Sequence, residues 1–341
     1  MVTHNFSKLI SLENLFQAWG EFKKGKRKRK DIQVFERNLE DNLFELHQIL
    51  KDKTYKHGSY ESFYVNDPKR RHIHKAEVSD RIVHHLLYKY LYEVFDKYFI
   101  FDSYSCRLGK GTHKGVNRLE KFTRIVSKNY TRQCWVLKLD IKKFFASVDH
   151  QILMRLLMRR IKDEQILWLL QEVIGSFSSA SQGTPCKAKG IPLGNLTSQV
   201  FANIYMNELD QFLKHKLGIK YYLRYADDFL ILSGDNKSLQ RLIVPIERFL
   251  EIRLKLELHP NKIIFRKLDW GIDFLGYIIL PHYILPRTKT KNRIIRKLKI
   301  IYSSCSNDSY HLNQSLQSYL GYLSHANSYR VIQQLKNIYL I

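Results

Sequence analysis

Residues 221–232 contain two apolar and aromatic segments separated by a short polar break that holds Asp227 and Asp228. Two β-rich segments joined in this way predict a β-hairpin with the aspartates at or beside its tip. Aspartate is common in turns for local reasons, so the pair alone is compatible with an ordinary turn. Two ionised carboxylates between apolar strands are costly unless a cation neutralises them, and this favours a metal site.

A second β-rich run spans residues 135–141. Because side chains alternate along a strand, Asp140 and Lys138 are expected on one face, with Leu137 and Leu139 on the other. The run therefore predicts a further carboxylate near the end of a strand.

A helix is expected after this run, starting at about Asp149 with Ser147 as its N-cap. Its buried side is expected to consist of Ile152, Leu153, Leu156 and Leu157.

Three carboxylates on neighbouring strands match the needs of nucleotidyl transfer. That reaction uses two divalent ions about 3.5–4 Å apart, one at the attacking hydroxyl and one at the leaving pyrophosphate. Hard ions such as Mg²⁺ take carboxylate oxygens. Asp140 facing Asp227 and Asp228 would supply the minimal site.

The pattern of apolar residues divides the chain into three segments. Residues 1–60 have helical spacing and predict a helical N-terminal extension. Residues 61–285 contain short β-rich runs between helices and Gly-containing turns, which predicts an α+β domain rather than a doubly wound sheet. Residues 286–341 are expected to form a short basic helical segment with an apolar side and a cationic side.

The charge balance favours a polyanionic partner. Lys and Arg number 57 against 32 Asp and Glu, a formal net charge of +25, and nucleic acid is the leading partner class. A basic protein without such a partner is the alternative on charge alone, and a solvated loop is the alternative for the first basic stretch. The candidate contacts are Lys26, Arg27, Lys28 and Arg29 in that stretch, and Arg293, Arg296 and Lys297 near the end of the chain.

The cysteines lie far apart without a C-x-x-C pair, so neither a zinc site nor a disulfide framework is expected. They are Cys106, Cys134, Cys186 and Cys305. No run reaches about 18 consecutive apolar residues, so no membrane-spanning helix is predicted. A cytoplasmic location is expected.

Residues 139–150 resemble the first catalytic block of prokaryotic reverse transcriptases, and residues 225–228 (Tyr-Ala-Asp-Asp) resemble the second. Other blocks of that family are matched in order by Arg71 with Ile73 and by residues 190–194, 259–262 and 274–277. The resemblance covers roughly residues 60 to 285. It implies a right-hand polymerase fold with fingers and palm, followed by a short helical thumb.

The resemblance also implies a role for each acidic residue. Asp140 and Asp227 would be metal ligands, and Asp228 would complete the catalytic cluster. The backbone carbonyl of Ile141 would be a further ligand. The implied cofactor is a pair of Mg²⁺ ions, for which Mn²⁺ is a possible substitute.

Phe145 would be the steric gate in this family. Its ring would press on the sugar where a ribose 2′-OH projects, so deoxynucleotides would be selected by exclusion. Packing in the core is the alternative for Phe144 or Phe145.

Three basic residues are further candidates for binding the incoming nucleotide. Lys69 and Arg71 would reach the triphosphate from the fingers, through point-charge and bidentate contacts respectively. The neighbouring Arg70 is equally basic, so the register remains open. Lys262 would lie near the active site, and a solvated lysine is the alternative.

Residues 191–199 resemble the signature of reverse transcriptases from diversity-generating retroelements. Group II intron enzymes usually have Gln where Leu193 stands. Leu193 and Gly194 are expected beside the incoming nucleotide, and Leu193 offers no hydrogen bond there. The resemblance implies error-prone, adenine-mutagenised cDNA that diversifies a target gene.

The same resemblance implies the partners. They are a template-repeat and spacer RNA, the cDNA product, dNTPs and an oligomeric accessory variability protein. No membrane association is expected.

Two alternatives differ from this interpretation. The first is a stand-alone phage-defence or group II intron-type reverse transcriptase. The second is a non-catalytic RNA-binding protein on a palm scaffold, which the presence of all three aspartates and Phe145 disfavours.

Overall fold

The computed structural model describes residues 5–67, 69–179, 189–304 and 309–339. The chain forms two compact units, and each is assembled from segments that are distant in sequence. The first unit comprises Met1–Phe101, Ile141–Gly218 and Ile246–Leu258. The second comprises Asp102–Asp140, Ile219–Pro245 and His259–Ile341.

Helices and strands occur in separate runs along the chain, as expected for an α+β protein. The helices are α1 Phe6–Leu9, α2 Leu12–Phe22, α3 Lys30–Arg37, α4 Leu39–Lys51, α5 Val78–Phe95, α6 Thr112–Val126, α7 Phe144–Ser147, α8 His150–Met158, α9 Glu164–Gly175, α10 Leu196–Gln211, α11 Asn236–Gln240, α12 Ile243–Phe249, α13 Thr288–Ser304, α14 Ser309–Leu323 and α15 Tyr329–Tyr339. The strands are β1 Glu61–Val65, β2 Arg71–Lys75, β3 Trp135–Asp140, β4 Tyr222–Tyr225, β5 Asp228–Ser233, β6 Ile264–Lys267, β7 Ile272–Phe274, β8 Tyr277–Leu280 and β9 Tyr283–Pro286.

The core of the first unit is built around α5 and α10. Both helices bury residues on several sides, which places them inside the unit rather than on its surface. Helix α2 and helix α10 pack on α5, and α8 packs on α10. Amphipathic helices from the segment predicted to be helical pack around α5 and α10. In α2, for example, Leu15 and Trp19 are buried.

The second unit contains a four-stranded antiparallel sheet in the order β4-β5-β3-β6. A three-stranded sheet, β7-β8-β9, and α6 lie against it through one apolar cluster that includes Val136, Leu230, Phe122 and Phe274. Strand β3 lies between β5 and β6. Its last residue, Asp140, pairs with Asp228 of β5, whereas its pairing with β6 ends at Lys138.

The basic C-terminal segment forms α13, α14 and α15, which share an apolar cluster. Ile294 and Leu298 of α13 are buried there, while Arg296 is exposed. This agrees with the predicted apolar and cationic sides of the segment.

The helix expected after residue 141 begins at His150, and its predicted N-cap is wrong. Asp149 caps α8, because its Oδ1 accepts a hydrogen bond from the Ile152 amide at 3.1 Å. Ser147 instead ends the short helix α7, and its hydroxyl donates to the Lys143 carbonyl. The predicted burial of the apolar side is confirmed for Ile152, Leu153, Leu156 and Leu157.

Two of the cysteines fall within the described residues. Cys106 is exposed and Cys134 is buried, and both are free thiols. Cys186 and Cys305 lie outside the described residues. Among the helices of the described ranges, none is long and apolar enough to cross a membrane.

Candidate active site

The aspartate pair lies at the turn of an antiparallel hairpin, as the sequence predicts. Tyr225 of β4 pairs with Asp228 of β5, leaving Ala226 and Asp227 as the connecting residues. Ala226 has φ +55°, a left-handed conformation that costs a non-glycine residue about 1 kcal/mol or more. Two-residue hairpin turns require this conformation because it matches the twist of the strands.

A buried arginine supports this turn. Arg224 Nη1 donates to the Ala226 carbonyl at 3.0 Å, and Nη2 donates to Ser103 Oγ at 3.1 Å. The Arg224 backbone is also paired, since its amide donates to the Asp102 carbonyl and its carbonyl accepts from the Tyr104 amide, both at 2.9 Å. The strained turn is thus tied to a neighbouring chain segment.

Strand register brings Asp140 opposite Asp228, the last residue of β3 against the first of β5. The Asp140 carbonyl accepts a hydrogen bond from the His259 amide at 2.8 Å. Its side-chain Oδ1 lies 2.7 Å from Lys262 Nζ. Lys262 therefore lies beside Asp140.

Asp228 has one paired and one unpaired carboxylate oxygen. Oδ2 lies 3.1 Å from Lys138 Nζ, whereas Oδ1 is buried and has no hydrogen-bond partner. Burial raises the pKa of Asp228 to about 6, with Asp140 and Asp227 adding to the rise and Lys138 opposing it. The ionised form of Asp228 is therefore destabilised, and a further cation beside it would stabilise that form.

A divalent cation fits the donor set around Asp228. The buried, unsatisfied Oδ1 needs a partner, and carboxylate oxygens are the donors that hard cations prefer. Within the described ranges, however, no three His, Cys, Asp or Glu side chains form a ready-made metal site. In the structure, Lys138 and Lys262 partly neutralise the two facing carboxylates.

Ile141 and Phe145 belong to the first unit. Ile141 is buried and forms an isolated bridge with Leu258. Phe144 is buried in the core, whereas Phe145 is partly exposed and its carbonyl accepts from the Ile191 amide at 2.8 Å. Core packing thus applies to Phe144, and Phe145 remains available as the gate.

Leu193 and Gly194 are joined to the β1–β2 hairpin within the first unit. The Leu193 carbonyl accepts a hydrogen bond from the His74 amide at 2.9 Å. Gly194 has φ +121°, and a Cβ on it would lie 3.0 Å from Ile73 Cγ2 and 3.2 Å from the His74 carbonyl oxygen. A side chain at position 194 would push the hairpin away.

The three successive basic residues of the β1–β2 hairpin, Lys69, Arg70 and Arg71, have different surroundings. The Arg70 guanidinium stacks on the Tyr64 ring at 4.1 Å. Lys69 and Arg71 are exposed, with Arg71 paired to Val65 across the hairpin. Arg70 therefore contacts its own hairpin through its side chain, which favours Lys69 and Arg71 as the residues available to a triphosphate.

Two residues that contact the acidic cluster or its turn, Lys138 and Arg224, are not predicted as site residues from the sequence. Lys138 was placed on the face of Asp140, but its pairing with Asp228 depends on the order of strands. Arg224 interrupts an otherwise apolar and aromatic strand, and that interruption was the available signal.

Residues 54–279 match the family model described as reverse transcriptase (RNA-dependent DNA polymerase). The match spans more than half of the chain and includes the hairpin, Asp140 and Lys262. The chain belongs to the reverse transcriptase family.

Curated proteins similar to this reverse transcriptase include two bacterial ones. Protein YkfC of Escherichia coli (strain K12) is 26% identical in an alignment of 279 residues that covers 68% of this chain and 71% of YkfC. The group II intron-encoded protein LtrA of Lactococcus lactis subsp. cremoris is 22% identical over 305 residues. That match covers 70% of this chain and 50% of LtrA, so the chain spans about half the length of that relative.

Solved structures of telomerase share the fold. Apo telomerase from Candida tropicalis, truncated from the C-terminal domain, matches with a TM-score of 0.50 and 12% identity, covering 72% of this chain and 59% of that chain. Telomerase from Candida albicans, in complex with a fragment of telomeric RNA, also gives 0.50 and 12%, covering 85% and 57%. The predicted right-hand polymerase fold is confirmed.

Proposed function

We propose that this reverse transcriptase copies RNA into DNA at the turn of the β4–β5 hairpin, with Asp140, Asp227 and Asp228 holding two Mg²⁺ ions. The observation that carries the proposal is the register of Asp140 opposite Asp228, whose buried Oδ1 lacks a partner. Bound ions would activate the primer hydroxyl and stabilise the leaving pyrophosphate. Mn²⁺ is expected to substitute.

The protein's own residues position and balance this site. Arg224 holds the Ala226 carbonyl and with it the turn that carries Asp227. Lys138 and Lys262 partly neutralise the carboxylates. Lys262, whose side chain is 38% exposed, would contact the triphosphate.

Other residues predicted from the sequence would select and bind the nucleotide. Phe145 would exclude the ribose 2′-OH, and Lys69 and Arg71 would contact the triphosphate. Leu193 and Gly194 would lie against the base pair being formed, while the Ile141 carbonyl would be an additional metal ligand.

Primer extension with purified protein tests the polymerase proposal. We expect Asp228→Asn to lower RNA-templated DNA synthesis by at least about a thousandfold, because one carboxylate of the pair is lost without changing its shape. Asp269→Asn is the control, since Asp269 is an exposed partner of Lys267. Synthesis by Asp228→Asn at the control rate would refute the site. Absence of synthesis by the wild type would favour the non-catalytic RNA-binding alternative.

We further propose that this enzyme makes adenine-mutagenised cDNA from a template-repeat RNA, as in diversity-generating retroelements. The support is Leu193 in residues 191–199, where a side chain without a hydrogen bond replaces the usual glutamine. An oligomeric accessory variability protein and a spacer RNA would be its partners. Sequencing the genomic DNA beside the gene tests this role. The role requires a near-duplicate pair of repeats there that differ at adenines.

Sequencing of cDNA products tests the role of Leu193. We expect Leu193→Gln to lower misincorporation opposite template adenine by several-fold, because Gln restores a polar contact beside the nucleotide. Leu196→Gln is a matched control in the same segment. An unchanged error spectrum in Leu193→Gln would remove Leu193 from the account of fidelity.

The alternative role is that of a group II intron-type enzyme, and the match to LtrA is the observation that favours it. It predicts faithful copying of template adenines by the wild type, together with intron RNA sequence beside the gene. The same cDNA sequencing therefore separates the two roles.

A further inference from the structure

A cavity of about 280 Å³ in the first unit carries an unusual concentration of positive charge. We call it the basic cavity. The turn after α2, one face of the β1–β2 hairpin, α5 and the start of α10 line it, and its charged lining residues are Lys26, Arg29, Lys75 and Arg81. Among the residues that the structure describes, no Asp or Glu lines it.

Only part of this charge is balanced inside the protein. Asp31 lies 3.1 Å from Lys75 Nζ and 2.6 Å from Arg81 Nη2. Over the described ranges, no carboxylate lies within ion-pair distance of Lys26 or Arg29. These two residues therefore carry the uncompensated charge of the cavity.

Lys26 is held in place despite this crowding. Its ammonium donates to the Phe22 carbonyl at 2.6 Å and lies 4.2 Å from the centre of the Phe22 ring. Burial lowers the pKa of Lys26, and Arg81 and Arg29 lower it further. Such repulsion costs folding free energy unless an anion binds.

The start of α10 adds polar groups to the same cavity. Asn195 is the N-cap residue of α10, yet its side chain makes no capping hydrogen bond. It is 3% exposed and lines the cavity. The Asn195 side chain lies close enough to the Tyr60 hydroxyl to oppose the rise that burial causes in the pKa of Tyr60, but neither amide atom attains hydrogen-bond geometry with a described residue. A helix N-terminus with a free amide donor suits an anion.

We propose that the basic cavity binds a backbone phosphate of an RNA strand, with Lys26 and Arg29 as the charged contacts and Asn195 at the helix start as a donor. The proposal rests on the proposed function only in taking RNA as the source of the phosphate. It separates Lys26 and Arg29 from Arg27 and Lys28, which the sequence presents as equivalent but which do not line the cavity.

RNA binding by matched double variants tests the proposal. The probe is a fluorescent single-stranded RNA of 12 nucleotides, and anisotropy is measured with EDTA and without dNTPs, so that polymerase activity plays no part. Lys26→Gln/Arg29→Gln should raise Kd about tenfold at 0.15 M salt and lower the salt slope by about 1 to 1.5. Lys24→Gln/Lys30→Gln, in exposed positions of the same basic stretch, should raise Kd less than about threefold.

A third variant places a negative charge in the basic cavity. Asn195→Asp keeps a good N-cap residue and should weaken RNA binding several-fold without lowering the temperature at which the protein unfolds, because the added carboxylate offsets the repulsion in the cavity. Equal losses in the two double variants would show a diffuse basic surface and overturn the site. RNA binding by Asn195→Asp at wild-type affinity would also overturn it.

The source of the phosphate is tested separately. Inorganic phosphate and AMP at millimolar concentration, matched for ionic strength, should compete only weakly with the RNA. Strong competition by AMP, together with loss of AMP binding in Lys26→Gln/Arg29→Gln, would assign the cavity to a mononucleotide and overturn the strand proposal. The polymerase proposal is tested by primer extension with Asp228→Asn, whereas the phosphate site is tested by RNA binding without catalysis. Failure of either proposal therefore leaves the other intact.

Discussion

Phe144 and Phe145 are neighbours in the sequence with different surroundings. The Phe144 side chain is buried and its ring meets that of Tyr205 edge to face at 6.5 Å. The Phe145 ring contacts Phe144 but is partly exposed. The Phe144 ring therefore stabilises the fold, whereas the Phe145 ring is accessible enough for the proposed role as steric gate.

This difference leads to a paired prediction. Phe145→Ala should raise ribonucleotide incorporation relative to deoxynucleotide by about tenfold or more, because a shape-based barrier to one hydroxyl is removed. Phe144→Ala should lower the free energy of unfolding by about 3–5 kcal/mol, the cost of a core cavity. Primer extension with each nucleotide set and urea unfolding measure the two effects. A stability loss in Phe145→Ala as large as in Phe144→Ala would contradict the assignment.

At the level of elements, a buried histidine joins α5 to α10. His84 Nδ1 lies 2.7 Å from Thr197 Oγ1, and His84 Nε2 lies 3.2 Å from His57 Nε2. His57 Nδ1 donates to the Gly58 carbonyl at 2.8 Å. When His57 Nε2 accepts, His84 donates to it from Nε2 and accepts from the Thr197 hydroxyl at Nδ1, so each polar atom of this contact is paired. Asp80, 3.6 Å from His57 Nδ1, is the nearby carboxylate.

The histidine contact predicts acid sensitivity of the fold. Burial lowers the pKa of His84 to about 3, and His57 and His85 lower it further. An unfolded histidine takes up a proton near pH 6.5, whereas folded His84 does not until about pH 3, so stability is lost as pH falls below 6.5. His84 alone should account for up to about 2 kcal/mol between pH 6.5 and pH 5.

Urea unfolding at pH 7.5, 6.5 and 5 measures this effect. His84→Gln should be less stable at pH 7.5 but should lose less stability on acidification than the wild type. His47→Gln is the control, because that ring hydrogen-bonds a carbonyl near the surface. Parallel losses in wild type and His84→Gln would contradict the prediction.

At the level of the whole molecule, the excess of 57 basic over 32 acidic residues should dominate encounters with RNA. Each phosphate neutralised on a single strand contributes about 0.7 to the slope of log affinity against log salt. We expect RNA affinity to fall at least about tenfold between 50 and 200 mM salt. Filter binding at fixed pH measures it, and an affinity independent of salt would exclude charge as the main source of binding.

Local sequence was enough to predict the elements that carry the site. The apolar alternation in residues 135–141 and the interrupted apolar run in residues 221–232 specify a strand and a hairpin, because strand faces repeat every two residues. Both are observed, with Asp228 at the start of β5. The N-cap of α8 was missed because Ser147 and Asp149 are both good caps, and only the backbone decides which one precedes the helix.

Tertiary structure alone decided how the charges are paired. Lys138 meets Asp228, and Lys262 meets Asp140, because β3 lies between β5 and β6 in the sheet. Strand order is set by long-range packing, which no local pattern encodes. For the same reason, the basic residues 26–29 are equivalent in the sequence, but only Lys26 and Arg29 among them line the basic cavity in the fold. The amino-acid sequence determined which carboxylates and cations are present, and the fold determined which of them remain unbalanced.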